Sequence, residues 1–152
     1  KTIKLCNDNF DARFNAKLKT YLYVINTGKY NVFLNNYFYN YNKPINISLI
    51  RKGAKKLIGT HDFVSFSTSV LEDTTRTIKQ INITKKDNLV YIKVVGNGFL
   101  RNQVRMIVGS LIDLNESKKS LSDFDKLLNN PKKGSCISKA PGCGLYLLKV
   151  SY

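Results

Sequence analysis

Residues 10–25 of this chain, FDARFNAKLKTYLYVI, alternate between apolar side chains and polar or tyrosine side chains at every second position. Successive side chains of a β-strand point to opposite faces, so a period of two predicts one long, half-buried strand. The predicted buried face consists of Ala12, Phe14, Ala16, Leu18, Leu22 and Val24. The predicted solvent face consists of Arg13, Asn15, Lys17, Lys19, Tyr21 and Tyr23.

The remaining segments predict strands and helices in separate groups. Residues 26–43, rich in Asn and Tyr, are either a hairpin extension or a loop, and residues 46–59 have the spacing of a basic amphipathic helix. TIKQINIT and NLVYIKVV, separated by KKDN, predict a hairpin. Residues 99–114 and SLSDFDKLLNN predict helices, and GLYLLKVSY predicts a last strand. This order favours one α+β domain over residues 1–152, with helices packed on one face of an antiparallel sheet.

The balance of charge limits the classes of partner. Lys and Arg number 25 against 10 Asp and Glu, which gives a formal net charge of +15. Such a surface attracts polyanions, so nucleic acid is the predicted partner. The alternative is that a composition rich in Lys, Asn and Ile reflects an A/T-rich genome. No apolar run approaches the roughly 20 residues of a membrane span, so no membrane association is predicted.

The cysteines and the single methionine bear on the compartment and the extent of the chain. Cys6, Cys136 and Cys143 form no CxxC pair and accompany one histidine, so neither a disulfide framework nor a metal site is predicted. A reducing cytoplasm fits this pattern. The only methionine is Met106, and we therefore expect the sequence to be a piece of a longer protein.

The predicted solvent face of the first strand is the strongest signal of nucleic-acid binding. Cations and tyrosines project from it at every second residue, so cations can contact phosphates while rings stack on bases. This arrangement suits single-stranded or distorted RNA better than a duplex. An ordinary solvated strand face is the alternative, because Lys and Tyr are common there.

Two arginines border the apolar stripe of the predicted helix in FLRNQVRMIVGSL. Arg101 and Arg105 are four positions apart, so they lie one above the other on a helix. An arginine at such a border either extends to water or forms a bidentate pair with a carboxylate or phosphate in a cleft. Gly96, Asn97 and Gly98 precede the helix, where close backbone approach suits an anion.

The residues by themselves nominate no nucleophile. His61 has Asp62 beside it but no serine or cysteine at a recognisable spacing, so a triad is not predicted, and His61 is interpreted as a structural or RNA-contacting side chain. No pair of carboxylates has a spacing that dictates acid–base work. Taken alone, these patterns indicate a basic α+β domain that binds RNA.

Five stretches in order resemble the tRNA pseudouridine synthase A (TruA) family. FDARFNAKLKTYLYVI resembles its F-x-A-R-x-x-A-x-x-K-x-Y-x-Y strand, and LIGTHDFVSF its L-x-G-x-H-D-F-x-S-F motif. RTI lies in the expected place, GNGFLRNQVRMIVGSL resembles G-N-x-F-L-x-x-M-V-R-x-I-V-G-x-L, and APGCGLYLLKVSY resembles A-P-x-x-G-L-Y-L-x-x-V-x-Y. The resemblance covers nearly the whole chain and implies the C-terminal half of the pseudouridine synthase fold.

The resemblance implies an isomerase that converts uridine to pseudouridine in the anticodon arm of tRNA, without cofactor or metal. By motif, Tyr21 would pack against the flipped base, and Arg105 would pair with the catalytic aspartate and orient it. Arg101 would contact a tRNA phosphate. The other residues predicted to bind RNA are Arg13, Lys17, Lys19, Tyr23, His61 and Asn97. The family is homodimeric, which implies a homodimer for the complete protein.

The chain departs from the family pattern at one decisive place. The family's catalytic aspartate lies in G-R-T-D-A-G-V-H, and this sequence contains no such stretch. Gln103 stands where Met is usual and Met106 where Asn is frequent, which could alter the support of Arg105. We therefore expect the C-terminal domain of such an enzyme, which alone binds RNA weakly and does not isomerise uridine. The alternative is a non-catalytic module for RNA binding or dimerisation.

Overall fold

The computed structural model describes residues 5–12 and 14–152, and its order of elements confirms the predicted α+β class. Within these residues, six strands and three α-helices alternate in small groups. In chain order they are β1 (Leu18–Asn26), β2 (Tyr39–Asn40), α1 (Ile47–Lys56), β3 (Gly59–Asp62), β4 (Thr75–Lys86), β5 (Leu89–Gly96), α2 (Gln103–Asn115), α3 (Leu121–Asn129) and β6 (Leu145–Ser151).

The strands form one sheet in the order β2-β1-β5-β4-β3, with β6 also paired to β1. β5 runs along one edge of β1, so β6 and the two-residue β2 share the other edge. All pairs are antiparallel except β1 with β2, and the predicted antiparallel sheet thus gains one short parallel pair. The predicted β4–β5 hairpin is present, with Asp87 in the left-handed conformation at its turn.

Strand β1 begins eight residues later than the alternation predicts. Asp11 forms local hydrogen bonds with Phe14 and Asn15: its carboxylate accepts from the Phe14 amide at 2.9 Å, and its carbonyl accepts from the Asn15 amide at 2.8 Å. Local hydrogen bonds of this kind compete with strand pairing. Pairing starts only at Leu18, where β6 provides a partner. Phe14, predicted to be buried, is 77% exposed.

The faces of β1 are also opposite to the prediction. Tyr23 and Ile25 are fully buried and lie across from Ile92 and Val90 of β5, in the cluster that includes the apolar side chains of the three helices. Leu22 therefore points to the opposite face. A tyrosine ring can pack in a core when its hydroxyl has a hydrogen-bond partner. Alternation with a period of two therefore does not decide which face of the strand the helices cover.

Helix α2 lies at the centre of the packing. The stripe predicted from its sequence is buried as expected, and a Cβ on Gly53 of α1 would lie 2.7 Å from Leu114, so the two helices pack closely. Asn46 caps α1, its side chain accepting from the Leu49 amide at 3.0 Å.

Across the described ranges, none of the helices has both the length and the apolar character that crossing a membrane requires.

Candidate active site and nucleic-acid interface

The Arg105 side chain lies between α2 and the segment that precedes β6. Its Nε donates to the Ala140 carbonyl at 2.8 Å, and its Nη1 donates to Asn102 Oδ1 at 3.2 Å. The Ala140 amide donates to the Arg105 carbonyl at 3.0 Å. None of the ion pairs in the described part of the chain includes Arg105, and its Nη2 has no hydrogen-bond partner there. Neutral acceptors thus fix the direction of the guanidinium and leave donors for a carboxylate or phosphate.

Tyr23 lies next to this guanidinium rather than in solvent. The side chain is fully buried, and its hydroxyl donates to the Pro141 carbonyl at 2.5 Å. Burial, and then the nearby Cys143 thiol, raises the pKa of the Tyr23 hydroxyl far above its usual range, so the group remains a donor. The prediction that Tyr23 faces solvent is wrong, and a buried ring offers no surface to RNA. We call Tyr23, Arg105, Ala140 and Pro141 the Arg105 corner.

The segment that carries Ala140 and Pro141 is fastened to α2 by two further contacts. A Cβ on Gly109 would lie 2.8 Å from the Ser138 carbonyl carbon, so the backbones touch where only glycine fits. The Ser138 hydroxyl and the Lys119 ammonium both bond to the Asp113 carboxylate, and Lys119 donates to Ser138 at 2.8 Å. The Arg105 corner therefore rests on a segment with few alternative positions.

Tyr21 shares a strand face with Tyr23 but is only partly buried. It lies opposite Val94 of β5 and Leu147 of β6. Its ring meets Phe99 edge-on, with centroids 5.2 Å apart and an interplanar angle of 86°. This contact holds one edge of the ring, and its hydroxyl forms no hydrogen bond among the residues that the structure describes.

A cavity of about 660 Å³ opens beside Phe99. Lys19, Arg76 and Arg101 line it together with Asn97, and none of the described lining residues is an aspartate or glutamate. Three cations around one cavity whose described lining contains no carboxylate produce a local positive potential that suits a phosphodiester backbone. We call these three cations, with Asn97 and Phe99, the cationic cleft.

The parts of the cationic cleft differ in how firmly they are held. Arg76 donates to the Thr75 carbonyl at 2.6 Å, and its stem lies against Gly98. Asn97 extends the pairing of β4 with β5, because its side chain accepts from the Thr77 amide at 2.9 Å. The Arg101 side chain is exposed and takes part in none of the described hydrogen bonds, although its backbone amide donates to the Ser69 hydroxyl.

The structure does not bring the other predicted RNA-binding residues into this cleft. His61 lies on β3 directly across from Arg76, with Nε2 3.2 Å from the Ile58 carbonyl, so it borders the cleft without lining it. Lys17 is exposed and lines a separate hollow with Tyr152. Arg13 lies outside the described residues.

Sequence reasoning missed part of both sites. Arg76 lies in the RTI motif, and Ala140 and Pro141 lie in the APGCG stretch, but no role was predicted for any of the three. The motifs therefore contained a signal that the residue types alone did not provide. Gln103 and Met106, the two departures near Arg105, take no part in the described hydrogen bonds of its side chain. Gln103 is fully buried, its Oε1 accepts from the Leu100 amide at 2.8 Å, and its Nε2 has no partner among the described residues.

Comparison with known proteins decides the family. The sequence profile of the tRNA pseudouridine synthase family matches residues 54–152, which carry Arg76, Arg105 and the segment before β6. The chain belongs to this family. The predicted resemblance is thereby confirmed, and the matched range contains the Arg105 corner except Tyr23 and the cationic cleft except Lys19.

Individual relatives extend the similarity over the whole chain. The tRNA pseudouridine synthase A of Malacoplasma penetrans is 51% identical over 99% of this chain, and that of Mycoplasma genitalium is 46% identical over 100%. The enzyme of Mycoplasmoides gallisepticum is also 46% identical. The chain spans 63%, 63% and 58% of the length of these three relatives. It therefore corresponds to a part of such a protein.

Proposed function

We propose that this chain is the C-terminal domain of a tRNA pseudouridine synthase, and that it supplies one wall of the active-site cleft and part of the tRNA surface. The observation that carries the proposal is the Arg105 corner. A guanidinium fixed by neutral carbonyls, with donors left over and no carboxylate beside it among the described residues, is suited to receive a carboxylate from elsewhere.

The proposed reaction breaks the bond from C1′ of the ribose to N1 of uracil and forms a bond from C1′ to C5, while C5 loses its proton and N1 takes up a proton. The catalytic aspartate that the family uses would come from the part of the protein that precedes this chain. Arg105 would hold that carboxylate with two parallel hydrogen bonds and fix its direction. Tyr21 would pack against the extruded base, because its ring is held on one edge by Phe99 and only partly buried.

The cationic cleft is proposed to hold the phosphates on either side of the target nucleotide. Lys19, Arg76 and Arg101 provide charge without an acidic competitor in the lining. Phosphate contacts of this kind position an RNA but do not specify its sequence. His61 and Lys17 lie outside the lining and are proposed to contact RNA only beyond the target nucleotide.

A non-catalytic RNA-binding or dimerisation module is the second candidate. It is favoured by the lack of any described aspartate or glutamate in contact with Arg105 or in the cleft lining. Such a module would use the same cationic surface without the isomerisation step.

Release of tritium from tRNA labelled at C5 of uracil separates the two candidates, because isomerisation expels that label. The assay compares this chain with the complete protein that its gene encodes. We expect release by the complete protein and none by this chain alone, together with weak tRNA binding by this chain. Release by neither protein would contradict the enzymatic proposal and leave the binding module.

The setting of the complete protein is proposed from the family resemblance. We propose that it acts on tRNA in the cytoplasm, as a homodimer, and without metal or cofactor. Light scattering after size-exclusion chromatography of the complete protein measures the subunit number, and a monomer at micromolar concentration would contradict the homodimer.

A further inference from the structure

The buried hydroxyl of Tyr23 has a single described partner. It donates to the Pro141 carbonyl at 2.5 Å from a side chain with no exposed surface. A buried hydroxyl requires such a partner, and the partner is in turn confined by it. A Cβ on Gly144 would lie 2.8 Å from the Tyr23 ring, so the ring is enclosed on this side as well.

The residue before Pro141 provides the acceptor for Arg105. Ala140 accepts from Arg105 Nε at 2.8 Å and donates its amide to the Arg105 carbonyl at 3.0 Å. The Ala140–Pro141 peptide is planar, and the proline ring fixes φ at −53°, so the Pro141 carbonyl carbon is held in place relative to the Ala140 peptide and only rotation about the Pro141 ψ remains. A hydrogen bond that holds the Pro141 carbonyl oxygen therefore also restricts the position of the Ala140 carbonyl.

Resting on the proposed function, we propose that Tyr23 is a positioning residue for Arg105. Its hydroxyl holds Pro141, Pro141 holds the Ala140 carbonyl, and that carbonyl sets the direction of the guanidinium. An arginine side chain loses much rotational freedom when it is fixed, and a neighbour that is already fixed reduces that loss at the moment of reaction. Tyr23 thereby acts on the reaction without touching the substrate.

A matched pair of variants tests the proposal. Tyr23→Phe removes only the hydroxyl and keeps the ring in the core. Tyr41→Phe is the control, because Tyr41 is also buried, at 7% exposure, and its hydroxyl bonds to Glu116 at 3.0 Å and to Asn115 at 3.2 Å, away from Arg105.

The first measurement is hydrogen exchange of the Arg105 Nε–H in this chain by nuclear magnetic resonance, with the signal assigned by its loss in Arg105→Lys. We expect exchange about tenfold faster in Tyr23→Phe, because the acceptor at Ala140 is no longer fixed, and unchanged exchange in Tyr41→Phe. Equal exchange in the two variants would overturn the proposal. If Tyr23→Phe does not fold, Pro141→Gly loosens the same unit at an exposed residue and carries the same expectation.

The second measurement is tritium release by the complete protein. We expect kcat about tenfold lower in Tyr23→Phe with KM for tRNA unchanged, and neither constant altered in Tyr41→Phe. A rise in KM alone would overturn the positioning role. If Arg105→Lys leaves kcat unchanged while Tyr23→Phe still accelerates exchange, the positioning of Arg105 stands and the proposed function of Arg105 fails, so the two failures are distinguishable.

Discussion

Arg105 lies in α2, whereas Arg101, four residues earlier, precedes the helix, and the left-handed Asn102 stands between them. The prediction that both arginines lie on one helix is therefore wrong, and the two illustrate different uses of a cation. Arg105 is partly buried and held by Ala140 and Asn102, so its direction is fixed. Arg101 is exposed in the cationic cleft, and its side chain joins none of the described hydrogen bonds. Neutral carbonyl oxygens, one from the backbone and one from a side-chain amide, fix the Arg105 guanidinium without cancelling its charge, whereas the open cleft provides charge without direction. The first arrangement suits orientation of one group, and the second suits attraction of a polyanion.

Replacement of Arg105 should give the largest effect. Arg105→Lys keeps the charge but removes the planar fork, so we expect turnover by the complete protein to fall about 100-fold. Binding of tRNA should stay within about twofold, because the cleft is intact. Tritium release and filter binding measure the two quantities. Arg51→Lys is the matched control, since Arg51 also donates to a backbone carbonyl, that of Ile83, at 2.6 Å. A loss of binding as large as the loss of turnover would remove the distinction between the two arginines.

The second largest effect should be a difference in the free energy of unfolding between variants beside the Arg105 corner and variants in the cationic cleft. Gly109→Ala places a methyl group 2.8 Å from the Ser138 carbonyl carbon, so we expect the free energy of unfolding to fall by about 2 kcal/mol. Urea denaturation measures this loss. Gly98→Ala in the cleft is the comparison, because its Cβ would lie 3.7 Å from Arg76, an ordinary contact, and its effect should be below about 0.5 kcal/mol. Equal losses at the two glycines would mean that the Arg105 corner is no more tightly packed than the cleft.

Removal of one charge from the cationic cleft should give a smaller effect, a change in the salt dependence of RNA binding. Arg101→Gln removes one phosphate contact, so the slope of log affinity against log salt should decrease by about 0.7 to 0.9. Fluorescence anisotropy with an RNA stem-loop, recorded between about 50 and 200 mM salt, measures the slope. Lys133→Gln makes the same change of charge at an exposed residue outside the cleft lining. If both variants lower the slope equally, the binding depends on overall charge rather than on the cleft.

The smallest effect on stability is expected at Glu116, the residue that follows the last turn of α2. It serves as a reference for the Arg105 corner and the cationic cleft. Hydrogen bonds from Lys118, then Lys43 and Tyr41, lower the pKa of Glu116 from 4.5 to about 2. A folded-state pKa below the unfolded one contributes stability above about pH 5, and this contribution is lost as the pH falls toward 2. Urea midpoints at pH 5 and pH 3 should therefore differ less in Glu116→Gln than in the wild type.

The control for this titration is Glu72→Gln, the same change of charge at an exposed residue outside the described ion pairs. We expect this variant to keep the pH dependence of the wild type. An unchanged pH dependence in Glu116→Gln would contradict the role of the Glu116 ion pairs, which are partly exposed and so contribute little each.

The local patterns of the sequence were sufficient for much of the fold. The β4–β5 hairpin, the three helices and the buried stripe of α2 all follow from periodicity and turn residues, because these depend on neighbours in the chain. The motifs also singled out Arg105 and Tyr21, and the family profile confirms the resemblance from which their proposed roles come.

Only the tertiary structure decided which face of β1 is buried and what Tyr23 does. Alternation gives two faces but does not say which one the helices will cover, and a tyrosine is suited to either. The Pro141 carbonyl that accepts from the Tyr23 hydroxyl lies 118 positions from Tyr23 in sequence. The Ala140 carbonyl that directs Arg105 lies 35 positions from Arg105. Such contacts depend on packing between distant segments, and no local pattern encodes them. The sequence by itself determined the helices, the β4–β5 hairpin and the charge, and the packing determined where β1 begins and which side chains are held in place.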